Sequence, residues 1–189
     1  MSEGDYFMEK ILITGTGRSG TTFLVKLFTL LDFDTGFDKK DYLTYVFENC
    51  NAGLEKTMND NHEVLKSPSF IKDIDSIIKD HKIKLVIIPV RNYTDSAKSR
   101  ASRGFNNGGL WFAHTAEEQE AFYYKLIANY VYYMTKFDIN TAFLDFDRMT
   151  TDKQYLYDRL NSIFVEKNIS FETYSQAYEE ASATSRPKS

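Results

Sequence analysis

An apolar strand leads directly into a glycine-rich turn and then into an amphipathic helix over residues 11–24, which read ILITGTGRSGTTFL. Glycines in such a turn let successive backbone N–H groups point at one anion, and the first turn of the helix adds its positive end. The glycines are Gly15, Gly17 and Gly20. Further donors to the same anion are the hydroxyls of Ser19, Thr21 and Thr22. The stretch therefore predicts a binding site for a phosphate or sulfate group.

The glycine spacing of this turn fits two nucleotide-binding patterns. It spells G-x-G-x-x-G, the dinucleotide fingerprint, and also G-x-x-x-x-G followed by two threonines. A P-loop kinase would carry lysine at the position of Thr21, and this lysine reaches the β- and γ-phosphates. The positive charge lies instead at Arg18, inside the loop. This shift disfavours a P-loop kinase.

The run Arg18-Ser19-Gly20-Thr21-Thr22 resembles the phosphosulfate-binding loop of the sulfotransferase family, which reads (Lys/Arg)-Ser-Gly-Thr-Thr. A second match follows the apolar strand at residues 84–90, where the family carries an Arg and, eight residues later, a Ser. These are Arg91 and Ser99. The resemblance implies that they hold the 3′-phosphate of the donor, 3′-phosphoadenosine 5′-phosphosulfate (PAPS). An Arg beyond the carboxyl end of a parallel strand is also well placed to bind phosphate on physical grounds.

A third match is Lys66, delivered by a short strand to the same edge of the predicted sheet. Family members have a lysine here, near the sulfuryl group in transfer. The phenol and steroid enzymes place a catalytic His two residues later, where this chain has Pro68. It therefore resembles the carbohydrate, tyrosyl-protein and bacterial branches more closely. The three matches span residues 11–99, and residues 141–146 resemble the strand that follows in the family.

The resemblance implies sulfuryl transfer to a hydroxyl or amine of a small-molecule, carbohydrate or peptide acceptor. The predicted donor contacts are Gly15, Gly17, Arg18, Ser19, Gly20, Thr21 and Thr22 for the 5′-phosphate, with Arg91 and Ser99 for the 3′-phosphate. Arg18 and Lys66 would neutralise charge on the leaving phosphate, whose product is 3′-phosphoadenosine 5′-phosphate (PAP). No metal is expected, because side-chain cations take that part.

The sequence offers three candidates for the base that deprotonates the acceptor. Tyrosyl-protein sulfotransferases carry a Glu shortly after the first helix, where this chain has acidic residues at Asp38 and Asp41. Asp38 is the first candidate and Asp41 the second. His114 is the third, since a glycine-rich loop at residues 104–112 could carry it over the acceptor.

Composition predicts one α/β domain over residues 1–189, with a mobile tail at 182–189. The net charge of −4 argues against nucleic acid as a partner, and the cluster Lys98, Arg100 and Arg103 is read as a solvated helix face. The N-terminal residues show no signal peptide, and no run of residues suits a membrane span, so a cytoplasmic protein is expected. The single cysteine, Cys50, favours a reducing compartment.

Strand and helix patterns alternate along the chain. Strands are expected at 9–15, 63–66, 84–90 and 141–146, and helices at 20–31, 41–53, 69–80, 92–103, 116–137, 152–166 and 171–182. This alternation predicts a three-layer fold, a mainly parallel sheet with helices on both faces, like the P-loop NTPase-like sulfotransferase fold.

Two other functions remain open from the residues alone. A nucleotide-binding module could keep the phosphate loop without transferase activity. A Rossmann oxidoreductase would use the glycines for a pyrophosphate and an acidic residue near Asp41 for the ribose, although the chain is short for a separate substrate domain.

Overall fold

The computed structural model describes residues 8–47, 52–102 and 109–185. Four parallel strands form its central sheet in the order β4-β1-β5-β6. They are β1 (Lys10–Ile13), β4 (Val64–Lys66), β5 (Ile83–Val90) and β6 (Thr141–Asp145). Two further strands, β2 (Val46–Phe47) and β3 (Ala52–Gly53), pair with each other in an antiparallel manner outside this sheet.

Side chains of the central strands alternate between two apolar cores, because successive residues of a strand point to opposite faces. On β1, Ile11 and Ile13 belong to one core and Leu12 to the other, and all three are fully buried. The same alternation holds on β5, where Ile87 belongs to the first core and Ile88 to the second. A sheet buried on both faces needs a helical layer on each side.

Both helical layers are present. The first face is covered by α1 (Thr21–Leu30), α5 (Phe146–Thr151), α6 (Lys153–Arg159), α7 (Asn161–Glu166) and α8 (Phe171–Ala183), and the second by α2 (Ile74–Asp80) and α4 (Ala116–Lys136). The helix α3 (Tyr93–Ala101) follows β5 and packs against α4. The predicted three-layer α/β class with a parallel sheet is confirmed.

The structure differs from the predicted elements in five places. The first part of the helix predicted at 69–80 is a 3₁₀ turn over Pro68–Asp73, and α5 lies where no helix was predicted. The helix predicted at 41–53 is wrong: a 3₁₀ turn at Tyr42–Tyr45 leads into β2, and the chain returns as β3. The helix predicted at 152–166 is divided into α6 and α7, since Leu160 leaves helical geometry with φ −113° and ψ 11°. The chain continues as helix through Ala183, beyond the start of the predicted tail.

Helix α4 has 21 residues, yet it alternates apolar and charged positions. Within the described residues, no helix combines the length and the apolar character that a membrane span requires.

Candidate functional site

The carboxyl ends of the parallel strands lie at one edge of the sheet. At this edge the connections from two neighbouring strands run to opposite sides of the sheet. The connection that leaves β1 leads to β4 on one side, and the connection that leaves its neighbour β5 leads to β6 on the other side. In open α/β sheets ligands bind in the crevice that such a reversal leaves. The candidate site occupies this crevice.

The loop between β1 and α1 turns by means of left-handed backbone conformations. Gly17 has φ 72° and Gly20 has φ 85°, values that side chains with a Cβ rarely adopt. Arg18 lies between them with φ 59°, although it is not a glycine. A non-glycine residue held in this region is strained, and such strain concentrates at ligand-binding sites.

Close packing adds a second reason for two of the glycines. A Cβ on Gly17 would lie 2.3 Å from Nη2 of Arg100, and a Cβ on Gly20 would lie 2.6 Å from Cε of Met149. The loop therefore packs closely against Arg100 of α3 and Met149 of α5.

Hydroxyl groups surround this backbone. Thr21 and Thr22 begin α1 and are almost fully buried, which places their hydroxyls beside the first N–H groups of the helix. The hydroxyls of Thr16 and Ser19 are also buried, and neither has a hydrogen-bond partner in the part of the chain that the structure describes. Buried polar atoms normally find a partner, so these two indicate a polar ligand or ordered water at the loop.

Lys66 ends β4 at the same edge with only 3% of its surface exposed. Its Nζ donates to the backbone oxygen of Gly53 at 2.9 Å and to Oε1 of Glu55 at 2.5 Å, and lies 3.5 Å from the hydroxyl of Thr22. A buried lysine needs such partners, because desolvation penalises its charge. Lys66 thus connects the start of α1 to the β3 segment.

Arg91 follows the last residue of β5, and its side chain contacts the loop between β1 and α1. Its Nη1 donates to the backbone oxygen of Arg18 at 3.3 Å, and its guanidinium lies 4.8 Å from the ring centre of Phe146. Asn92 begins α3 as an N-cap, with its side chain accepting the N–H of Asp95 at 3.1 Å. The cap fixes the angle at which the helix leaves the strand and hence the direction of the arginine.

Arg100 also reaches the site, which the sequence reading of a solvated helix face did not foresee. Its Nη1 donates to the backbone oxygen of Gly109 at 2.6 Å, and its guanidinium lies 5.8 Å from the ring centre of Trp111. Its Nε is buried with no partner among the described residues. The close approach to Gly17 explains the placement, since only a residue without a side chain leaves room for the guanidinium there.

Burial raises the pKa of the nearby Tyr123 phenol, and the positive charges of Arg100 and Arg18 partly oppose this rise. Tyr123 is fully buried and therefore stays protonated over the physiological range. Its hydroxyl is available as a neutral hydrogen-bond donor on the α3 side of the loop.

The loop, the start of α1 and the side chains of Lys66, Arg91 and Arg100 border one cavity of about 470 Å³. Its walls include the loop and start of α1, the strand ends, and parts of α5 and α8. The lining residues are Gly17, Arg18, Gly20, Thr21, Thr22, Phe23, Ala52, Glu55, Lys66, Pro68, Arg91, Arg100, Phe146, Thr150, Thr151, Ser182 and Ser185. Four lining side chains are cationic and one is anionic, so the cavity suits a ligand with more than one negative charge.

Glu55 is the anionic member of the lining, and the sequence analysis did not single it out. Its side chain is 45% exposed and bonds to Lys66. The predicted helix at 41–53 gave no reason to place Glu55 near the site. Glu55 follows β3, and the course of this segment depends on the pairing of β3 with β2. The Lys66 contact has no local sequence signal, since the two residues lie on separate strand connections.

Six of the predicted site residues do not border the cavity. Ser99 is half-buried on α3, and its backbone oxygen accepts the hydroxyl of Ser102. Asp38 is exposed, and its Oδ1 accepts the N–H of Lys40 at 2.8 Å in a local turn. Asp41 and His114 are exposed as well. Gly15 and Ser19 shape the loop from behind and are buried without bordering the cavity.

In the described ranges there is no group of three or more His, Cys, Asp or Glu side chains that could hold a metal ion. Cys50 and Arg103 lie outside the described residues, as does most of the glycine-rich loop at 104–112.

No protein-family model matches the chain, and no curated protein matches it. Among solved structures it is similar to a retinol dehydratase, whose crystal structure was determined in complex with androsterone and the inactive cofactor PAP. The two are 13% identical, and the superposition has a TM-score of 0.42 and covers 91% of this chain. The chain spans 64% of the length of the retinol dehydratase chain.

Proposed function

We propose that the chain is a sulfotransferase that moves a sulfuryl group from PAPS to a hydroxyl or amine acceptor. The observation that carries the proposal is the convergence of Arg18, Lys66, Arg91 and Arg100 on a single cavity beside the loop 15–22. PAPS offers two separate phosphate positions, and the proposal divides the cations between them. Arg18 and Lys66 adjoin the start of α1, whereas Arg91 leaves β5.

The residues at the cavity are suited to bind the donor PAPS. Arg18, Thr21 and Thr22 border the cavity at the loop that would hold the 5′-phosphate. Thr21 and Thr22 add donors at the N-terminus of α1, where backbone N–H groups already favour an anion. The fork of Arg91 suits the bidentate recognition of a 3′-phosphate. Ser99 stays a proposed contact of this phosphate by resemblance.

The transfer requires one bond to form while another breaks. The acceptor oxygen or nitrogen bonds to sulfur as the sulfur–oxygen bond to the donor phosphate opens, and the bonding electron pair leaves with that phosphate. Negative charge therefore grows on the bridging oxygen, and the cations Arg18 and Lys66 are suited to stabilise it. The acceptor proton must go to a base.

We assign the base to Glu55. A general base has to come within hydrogen-bond reach of the proton that it takes, and Glu55 is the carboxylate that borders the cavity. In the structure it pairs with Lys66, which also lies near Thr22. A donor phosphate at the loop would compete for the lysine and release the carboxylate for the acceptor. Asp38, Asp41 and His114 would serve only if the acceptor extends well beyond the cavity.

A ligand-dependent melting series tests the donor assignment. Ligand at a hundred times its dissociation constant stabilises the folded protein by ~2.7 kcal/mol, which shifts the midpoint of a domain of this size by roughly 5 to 10 °C. PAP should stabilise more than AMP, ATP or NAD, because it alone supplies phosphates for both cation groups. A shift with NAD alone would favour the oxidoreductase.

Turnover separates the transferase from a binding module. Incubation with PAPS and a panel of phenols, sugars and tyrosine peptides should release PAP from at least one acceptor. Tight PAP binding without PAP release from any acceptor would support the module instead.

A further inference from the structure

The outer face of α4 carries a stripe of exposed residues at alternating spacings of three and four: Ala121, Tyr124, Ala128, Val131 and Thr135. Tyr124 is 56% exposed and Val131 is 49% exposed. The opposite face of the helix is buried against the sheet through Leu126, Tyr130 and Met134. A three-four spacing over two heptads is the pattern by which one helix packs along another.

We infer that this stripe, called the α4 seam below, pairs with the α4 seam of a second copy of the chain in an antiparallel arrangement. The proposal does not depend on the proposed function. None of the cavity-lining residues belongs to α4, so pairing leaves the site open.

Side-chain sizes along the seam favour the antiparallel direction. Small residues, Ala121, Ala128 and Thr135, occupy one set of positions, while the large Tyr124 and Val131 occupy the other. Reversing one of two identical helices brings the two sets opposite each other, so that each large side chain meets a small one. A parallel pair would instead place tyrosine against tyrosine and alanine against alanine.

Two antiparallel registers satisfy this rule, one centred on position 126 and one between positions 129 and 130, and only the first sets the acidic first turn of one helix beside Lys136 of the other. Pairing Tyr124 with Ala128 of the second copy also pairs Val131 with Ala121, and both pairs are centred on position 126 of the helix. Such an interface is self-complementary about a two-fold axis, as in most homodimers. The ring of Tyr124 already packs edge-on against Tyr93, with centres 5.1 Å apart, which reduces the entropy lost on pairing.

The charges at the two ends of α4 favour a second copy of the chain as the partner of the α4 seam. The first turn of α4 is acidic, with Glu117 and Glu118, and its last turn carries Lys136. The antiparallel pair sets the acidic turn of each copy beside the lysine of the other, and it also opposes the two helix dipoles. A parallel pair would place the acidic turns together.

The oligomeric state of the full chain tests the proposal. Sedimentation velocity at increasing protein concentration should show a monomer that converts to a dimer. Val131→Glu places a charge in the seam and should abolish the dimer. Val165→Glu is the matched control, because Val165 is an exposed valine on α7, and it should leave the dimer intact. A chain that stays monomeric at about 100 µM, or equal effects of both variants, would overturn the inference.

Cross-linking tests the direction in a chain whose Cys50 has been replaced by Ser. In the antiparallel register, Ala128 lies roughly 6 Å along the axis from its own copy, and Thr135 lies roughly 27 Å from its own. A short bifunctional maleimide should therefore link Ala128→Cys chains into dimers and fail with Thr135→Cys chains. Linking of both variants to the same extent would indicate a parallel pair and contradict the proposal, as would linking of neither.

Discussion

At the loop end of the cavity, Gly17, Gly20 and Thr21 owe their positions to local backbone geometry between β1 and α1. At the opposite end, Ala52 and Glu55 owe theirs to the pairing of β3 with a two-residue strand and to an ion pair with Lys66. The loop end is a glycine turn that packs against Arg100 of α3 and Met149 of α5, whereas the Glu55 end has a half-exposed carboxylate. Under the proposed function, the loop end binds the donor PAPS and the Glu55 end contacts the acceptor.

The largest expected effect concerns the Glu55 end. Glu55→Gln keeps the size of the side chain and removes its basicity, so turnover should fall by ~10²- to 10⁴-fold. PAP affinity should change little, because the lost interaction acts on the acceptor. Steady-state kinetics with PAPS and titration with PAP measure the two quantities.

Asp38→Asn is the matched control for this variant, since it neutralises an exposed carboxylate away from the lining. It should retain near-normal turnover. If Asp38→Asn loses turnover while Glu55→Gln keeps it, the base lies outside the cavity and the division between the two ends fails.

The next effect concerns Arg100 at the loop end. Its guanidinium approaches Gly17, so we expect it to support the phosphate that PAP and AMP share. Arg100→Ala should weaken both ligands by about 1.5 to 3 kcal/mol, the contribution of a charge-assisted hydrogen bond. Isothermal titration gives both affinities. Lys98→Ala removes an exposed charge from the same helix and should have no such effect. If Arg100→Ala binds PAP and AMP with unchanged affinity, Arg100 does not contact the ligand.

A smaller effect is expected from the backbone of the loop. Gly17→Ala introduces a Cβ at φ 72° and against the Arg100 guanidinium, and left-handed geometry alone costs an alanine roughly 1 to 2 kcal/mol. Thermal melting should therefore show a lower midpoint, with PAP and AMP weakened together. Gly36→Ala is the matched control, because Gly36 also has φ 72° but lies outside the cavity lining, so it should lower the midpoint without weakening either ligand. A melting midpoint equal to that of the unaltered chain would show that the loop adapts.

The sequence allowed much of the loop end to be predicted and little of the Glu55 end. A strand, a glycine turn and a helix follow one another between residues 10 and 30, so local rules suffice for Thr21 and Arg18. The strand end likewise indicated Arg91. Glu55 comes close to Lys66 only after β2 and β3 have paired, and neither strand is long enough to carry a periodic pattern. Arg100 was misjudged because its helix is polar, and the contact that draws it inward comes from the distant Gly17.

The smallest effect concerns Lys26, which ties α1 to the end of α8. Its Nζ donates to the backbone oxygen of Thr184 at 2.9 Å, next to the lining residue Ser185, and burial lowers the pKa of Lys26 to about 8. The folded protein then holds this proton less tightly than the unfolded chain, whose lysine titrates near 10.5. The unfolded chain therefore binds more protons above pH 8, and stability should rise as the pH increases.

The expected gain from pH 8 to 9 is about 1 kcal/mol, or roughly 2 to 4 °C in the midpoint of unfolding. Melting curves of Lys26→Met should lack this rise, because methionine cannot titrate. A rise of equal size in both proteins would assign the pH dependence to other groups.

The central claim is that the cavity recognises a nucleotide by two separate phosphates, and titration of PAP and AMP into the unaltered chain and into Arg91→Ala tests it most directly. PAP should bind the unaltered chain more tightly than AMP does. In Arg91→Ala the PAP affinity should drop by roughly 10- to 150-fold, equivalent to 1.5 to 3 kcal/mol, with AMP affinity within about twofold. Equal affinities for PAP and AMP in the unaltered chain, or a PAP affinity that Arg91→Ala leaves within about twofold, would contradict the account.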